Sequence, residues 1–248
     1  MKRVDSVISL IYSMSKAEKK AFSVQMLKDK EEKDYLVIYD IITKSKQLDS
    51  KNVKGEFHKR RPGGSFEVSI QYLYERLTDS LLTLRKKKDI YYDLLNNLCK
   101  ARMLYERSLF EECFEILSDT IEQATYYENN EVLTIALKLE LEYLLRLNFP
   151  NLAESELYHK HFMQNEALKK TRKIVEQSSL HNLLKYRLSH IGSIRTSKQK
   201  QDMNDLMVNE LSIAASSGIE GNFELMRNHR LFQANYLMGA GEYKAALN

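Results

Sequence analysis

Three observations predict an all-α fold for this chain. Glycine and proline number only eight and two in 248 residues, which leaves few places for hairpins and tight turns. Leu, Lys and Glu, all good helix formers, are abundant. Apolar residues recur three and four apart in most segments, the spacing of one helix face.

The length is enough for one or two domains with a real core. Two cysteines, Cys99 and Cys113, are too few for a disulfide framework and suit a reducing, cytoplasmic compartment. No stretch approaches the roughly eighteen apolar residues of a membrane span. The basic opening M-K-R followed by apolar residues raises a signal peptide. Asp5, Ser6 and Ser9 interrupt the run, however, and Val4, Val7, Ile8 and Ile11 mark one face of an amphipathic helix. The charge is uneven. Residues 1–100 carry 21 Lys/Arg against 14 Asp/Glu and residues 101–248 carry 17 against 20, giving a front of +7 and a back of −3 within the chain's +4.

A short helix is expected around Val4–Ser13. Ser15-Lys-Ala-Glu18 fits a capping box, opening a helix through roughly Leu27. Leu36, Ile38, Tyr39 and Ile42 give helical spacing from Asp34 to about Lys44. Asp49 or Ser50 caps a further helix ending at Lys59-Arg60-Arg61, and Pro62-Gly63-Gly64 breaks the chain. Between Ser65 and Lys88, Phe66, Val68, Ile70 and Tyr72 alternate as a strand would. Phe66, Ile70, Leu73, Leu77, Leu81 and Leu84 instead fit a helix over about five turns, and the longer pattern decides for helix. From about Asp89 the chain reads as helix pairs: 90–106 with 109–126, 130–147 with 150–166, 168–191 with 202–216, and 223–239 with a restart at Glu242. Gly192–Gln201 forms a long linker, and Gly218 and Gly221 bracket a turn.

One spacing recurs at the pair turns. Ala234, Leu237, Gly241, Tyr243 and Ala246 read A-x2-L-x3-G-x-Y-x2-A; Ala101, Leu104, Ser108, Phe110 and Cys113 repeat it, and Leu141, Leu144, Asn148, Pro150 and Ala153 repeat it more weakly. These residues resemble the tetratricopeptide repeat (TPR), a helix–turn–helix unit of about 34 residues. The Trp-Leu-Gly opening of a strong TPR is missing, and Gly192 falls where an aromatic belongs. The first 90 residues resemble the front of some bacterial TPR-like proteins, which supplies no function. The resemblance implies a right-handed α-α superhelix over about 89–248, preceded by a small basic helical domain over about 1–88. It also implies a chain continuing past Asn248, or self-association through an open C-terminal end.

No constellation for chemistry is visible. His159 and His161 are two apart and point to different helix faces, His181 and His190 lack the i, i+4 spacing of a zinc pair, and His58 and His229 stand alone. Packing or surface roles are the reading for all six. Cys113 holds a core position of the repeat, and neither cysteine has a visible base. Pro62-Gly63-Gly64-Ser65 lacks the Lys-Ser/Thr of a P-loop. No enzyme, cofactor or metal is therefore expected. The basic runs Lys59-Arg60-Arg61 and Arg85-Lys86-Lys87-Lys88 fall at helix C-termini, where cations complement the dipole. They also keep a DNA-binding regulator, with the solenoid as sensor, as the second reading.

The TPR resemblance further implies a concave groove lined by the first helix of each pair. By repeat position Arg102, Tyr105 and Glu106 face it from the first pair, Lys138, Glu142 and Arg146 from the second, and Asn235 with Met238 from the fourth. Asn235 holds the place where some peptide-binding TPRs bond a ligand backbone or carboxylate. Leu231 and Leu98 replace the charged clamp residues, which argues against capture of a C-terminal carboxylate. The expected role is a protein- or peptide-binding scaffold module.

Overall fold

The computed structural model describes residues 2–26, 33–45, 49–86, 88–192, 194, 196–216 and 222–247. Leu27, Lys87 and the turn at Gly218–Gly221 lie outside them. Among the described residues all regular structure is helical, and no helix is long and apolar enough to cross a membrane. The chain divides into two compact units, Met1–Asp93 and Leu94–Asn248.

The N-terminal unit contains α1 (Lys2–Ser13), α2 (Lys16–Met26), α3 (Asp34–Lys44), α4 (Ser50–Arg60) and α5 (Phe66–Lys86). Local chemistry sets the helix starts. Ser15 N–H donates to Glu18 Oε2 (2.8 Å) and Glu18 N–H to Ser15 Oγ (3.2 Å), the reciprocal capping box anticipated above. Asp49 caps α4 by accepting from Asn52 N–H at 2.8 Å. The helix chosen over the strand for 66–86 forms, and α5 is the element on which α1, α2, α3 and α4 all pack. Its Phe66, Ile70, Leu73 and Leu77 are buried while Val68, which a strand would have put beside them, is exposed. Val4, Val7, Ile8 and Ile11 of α1 join the same core as Phe22, Ile38, Ile42, Val53 and Phe57. Burying each such side chain contributes about 1.5–3 kcal/mol.

The Ser15 amide and hydroxyl bonds hold the Glu18 carboxyl below its ordinary value of 4.5, with Arg85 and Lys88 adding their charge. A depressed carboxyl stabilises the fold above its unfolded pKa and loses that contribution as pH falls through the folded one. Glu18→Gln is therefore expected to destabilise the protein at neutral pH by a small, constant amount. The gap should narrow as pH falls below about 4.3, the ordinary unfolded value, in parallel urea titrations. A gap that does not change with pH through the acid range would exclude the carboxylate as its source.

The C-terminal unit consists of helices, the first four of them joined by short turns. After α6 (Ile90–Glu106) come α7 (Phe110–Tyr126), α8 (Asn130–Arg146) and α9 (Glu154–Ile191), then the short α10 (Ser197–Gln201), α11 (Asn204–Ser216) and α12 (Phe223–Gly239). The turns share one geometry. Ser108, Glu128, Asn148 and Gly241 have φ of 60°, 53°, 58° and 79°. Across them Leu109, Asn129, Phe149 and Glu242 donate N–H back to the carbonyls of Leu104, Ala124, Leu144 and Leu237, at 3.1, 2.8, 2.8 and 2.9 Å. This six-to-one bond over a left-handed residue is the Schellman stop. The Leu-x3-Gly part of the recurring spacing is that stop, with Leu104, Leu144 and Leu237 as acceptors and Ser108, Asn148 and Gly241 as the left-handed residues. The helix pair repeats from Ile90 to Asn130, longer than the about 34 residues of a TPR.

One element departs from the expected pairs. Where separate helices at 150–166 and 168–191 were expected, α9 runs unbroken for 38 residues. Phe162 to Arg172 contains no Gly or Pro and is rich in good helix formers, so nothing local ends the helix. Its start lies later than expected, because Asn148, Phe149 and Asn151 all take positive φ around Pro150. Glu156 then caps the helix by accepting from Ala153 N–H at 3.1 Å. α8 packs between α7 and the first half of α9, whereas α9 also carries α11 and α12. Leu184, Met203, Leu206 and Phe232 form the core of that second part. Where α12 ends on α9, a Cβ on Gly239 would come within 2.6 Å of a Leu188 methyl, so a larger residue there would turn the Leu188 side chain aside.

Candidate functional sites

The expected groove residues fall into two places. Tyr105 stacks flat on the buried Tyr143, ring centroids 3.7 Å apart and planes 7° apart, with Phe110 at 5.3 Å. Burial pushes the Tyr143 hydroxyl up, and Cys113, Arg102, Glu142 and Glu106 all act on it through charge. The structure thus brings Arg102, Tyr105, Glu106 and Glu142 of the first two pairs together. Their charges are, however, satisfied within their own helices: Arg102 pairs with Glu106 (3.3 Å) and Arg146 with Glu142 (2.5 Å). Lys138 is exposed on α8. Asn235 and Met238 lie apart on α12. Asn235 Nδ2 donates to His181 Nε2 (3.0 Å) and to the Leu231 carbonyl (2.6 Å), so its amide hydrogens are spent inside the fold. Met238 is exposed.

α7 and α9 flank α8, and two hollows lie along them. One of about 500 Å³ is walled by Ile121, Leu137, Leu152, His159, Lys160 and Met163. The other, of about 940 Å³, is walled by Ser118, Asp119, Glu122, Tyr126, Tyr127 and again Ile121 and Met163. Shared walls make them one cleft. Tyr126 and Tyr127 stand 79% and 53% exposed at its rim, edge to face with centroids 4.9 Å apart. The wall cation Lys160 bonds the buried Glu140 at 2.8 Å, leaving Glu140 Oε2 without a partner.

A second constellation, absent from the sequence reading, is buried among α9, α11 and α12. Glu210 and Gln177 are wholly buried. His229 Nδ1–H donates to Glu210 Oε1 at 2.6 Å, and Gln177 Nε2 approaches the same oxygen at 3.3 Å. Glu210 Oε2 and Gln177 Oε1 remain buried without partners. Nearby Asn228 donates to Ser178 at 3.2 Å. His229 was read as standing alone, and the structure corrects this. The available signal was register: Gln177 with Leu180 and Leu184, Glu210 with Met203 and Leu206, and His229 with Leu225 and Phe232 each continue an apolar helix face. A polar residue at a core position must find partners. No nucleophile is bonded to this group, and among the described residues no cluster of His, Cys, Asp and Glu suits a metal ion.

The remaining histidines have packing or surface places. His58 meets Phe57 edge-on and Phe66 at a tilt, His159 and His161 are exposed, and His190 Nδ1 lies 2.8 Å from the Tyr186 carbonyl. Burial lowers the pKa of His181, with Lys185 adding to it, so the ring stays neutral as an acceptor for Asn235. Cys113 is a buried core residue whose thiol burial pushes up; Cys99 is exposed, and both are free.

The Lys59-Arg60-Arg61 run of the N-terminal unit is paired with carboxylates. Lys59 pairs with Glu56 (2.6 Å), Arg60 with Asp40 (3.1 Å) and Arg61 with Asp34 (3.6 Å). Such pairing weakens the positive field that phosphate binding needs. Comparison with protein-family models, curated proteins and solved structures finds no match.

Proposed function

We propose that this chain is a non-enzymatic, cytoplasmic binding or scaffold module of the TPR-like kind, which holds a protein or peptide segment in the cleft between α7 and α9. The carrying observation is the cleft itself: a continuous trough with apolar walls at Ile121, Leu137, Leu152 and Met163 and an exposed tyrosine rim. Exposed tyrosines and a half-buried Met beside a trough have the composition of interface cores. Charge pairing within α6 and within α8 leaves the Arg102–Arg146 face with less to offer a partner. A cytoplasmic setting suits the two free thiols. The DNA-binding regulator ranks second, since Lys59, Arg60 and Arg61 are already paired with carboxylates.

Site-specific photo-crosslinking in the source cells tests the proposal. A crosslinking residue at Glu122 or Tyr126 should trap one discrete protein, and the same residue at Arg102 should trap none. Trapping at Arg102 alone would move the site to the α6–α8 face. Nuclease-sensitive products that fall steeply with salt would put the DNA reading first.

A further inference from the structure

We propose that the α7–α9 cleft is specific for a cationic amphipathic helix of its partner; this rests on the cleft being the binding site. α7 carries Glu111, Glu112, Glu115, Asp119 and Glu122 and no Lys, Arg or His. Separations of three, four and seven place all five on one side of the helix, away from the buried Cys113, Leu117, Thr120 and Ala124. Elsewhere in this unit several acids are neutralised. Glu106, Glu142, Glu166 and Glu176 pair with Arg102, Arg146, Lys169 and Arg172 on their own helices. Among the described residues none of the five α7 carboxylates has an ion-pair partner. Glu111 and Glu112 lie in the first turn, where the helix dipole favours them, but Glu115, Asp119 and Glu122 lie beyond it, and like charges at this spacing oppose the helix.

That acidic side borders an apolar trough, since Asp119 and Glu122 line the cleft together with Ile121 and Met163. The cleft does not cancel their charge. Lys160 is held by Glu140, and Glu156 has turned its carboxylate to the Ala153 amide. An apolar trough bordered by unpaired carboxylates complements a helix with apolar residues at i, i+3/i+4 and i+7 and Lys or Arg beside them. The thioether of Met163 and the tyrosines of the rim adapt to the apolar side chains, while the carboxylates of α7 select the charge. An acidic or neutral helix of the same apolar pattern would leave them unpaired.

Two synthetic probes test this with the full chain. Both are amphipathic peptides with the same leucine positions; one has lysine at every other helical position and its twin has glutamate. By fluorescence anisotropy the lysine peptide should bind at least about tenfold more tightly than its twin, and less tightly as salt rises. Glu115→Gln/Asp119→Asn/Glu122→Gln, all at exposed positions, should remove most of that preference. Met163→Glu should weaken the lysine peptide as well, because the apolar seat is lost. Equal binding of both peptides, abolished by Met163→Glu, would overturn the charge selectivity and leave the cleft as the site. Lysine-peptide binding indifferent to Met163→Glu would be surface attraction and would overturn the proposal. Binding of neither peptide would overturn both the selectivity and the cleft reading.

Discussion

Replacing His229 by alanine is expected to destabilise the C-terminal unit by about 1–3 kcal/mol, the cost of leaving a buried acceptor without its donor. Glu210 has no access to water, and the imidazole N–H at 2.6 Å is its one close donor. Gln177 at 3.3 Å gives a weaker bond, and no described donor reaches Oε2. Removing the ring therefore exposes the low local dielectric as a penalty. The double variant Glu210→Leu/His229→Leu should recover most of the loss, since replacing both members of a buried polar pair by apolar groups is often neutral or favourable. Urea unfolding of the wild type, the single variant and the double variant measures this. A single variant within 1 kcal/mol of wild type would mean that His229 does not hold Glu210.

Lys170→Pro is expected to cost about 3 kcal/mol or more, against an effect within about 0.5 kcal/mol for Lys170→Ala. Lys170 is an exposed position near the middle of α9, so the comparison reports on the backbone rather than on packing. A proline there removes one helical hydrogen bond and drives its ring into the carbonyl four residues earlier. The arrangement with a helix beginning at 168 predicts something else, because a proline in the first turn meets no such carbonyl and is tolerated. Equal stability of the two variants in urea would favour the broken helix.

This pair of outcomes bears on what the recurring Leu-x3-Gly spacing means. Its three copies mark the Schellman stops at Ser108, Asn148 and Gly241, and the turn at Glu128 makes the same bonds without the spacing. The pattern is a local one, read by a helix that needs a left-handed residue to satisfy its last carbonyls. It locates turns well. How successive pairs stack is a separate matter, and there the continuous α9 joins what the pattern had divided.

The sequence by itself determined the all-helical class, the Ser15–Glu18 and Asp49 caps, the helix from Phe66 and the pair turns. Each of these depends on groups within about one or two helical turns of one another, where spacing and hydrogen-bonding chemistry are sufficient. It also placed Cys113 in the core, because the alternation of buried and exposed faces is local too. Only the tertiary structure decided that Glu210 meets His229 and Gln177, that Asn235 turns to His181, and that hollows open along α7 and α9. Those contacts join residues far apart in the chain, and they depend on which helix faces pack together. A face's apolar spacing says that it will be buried, but the partner that buries it is chosen by the packing of the whole unit.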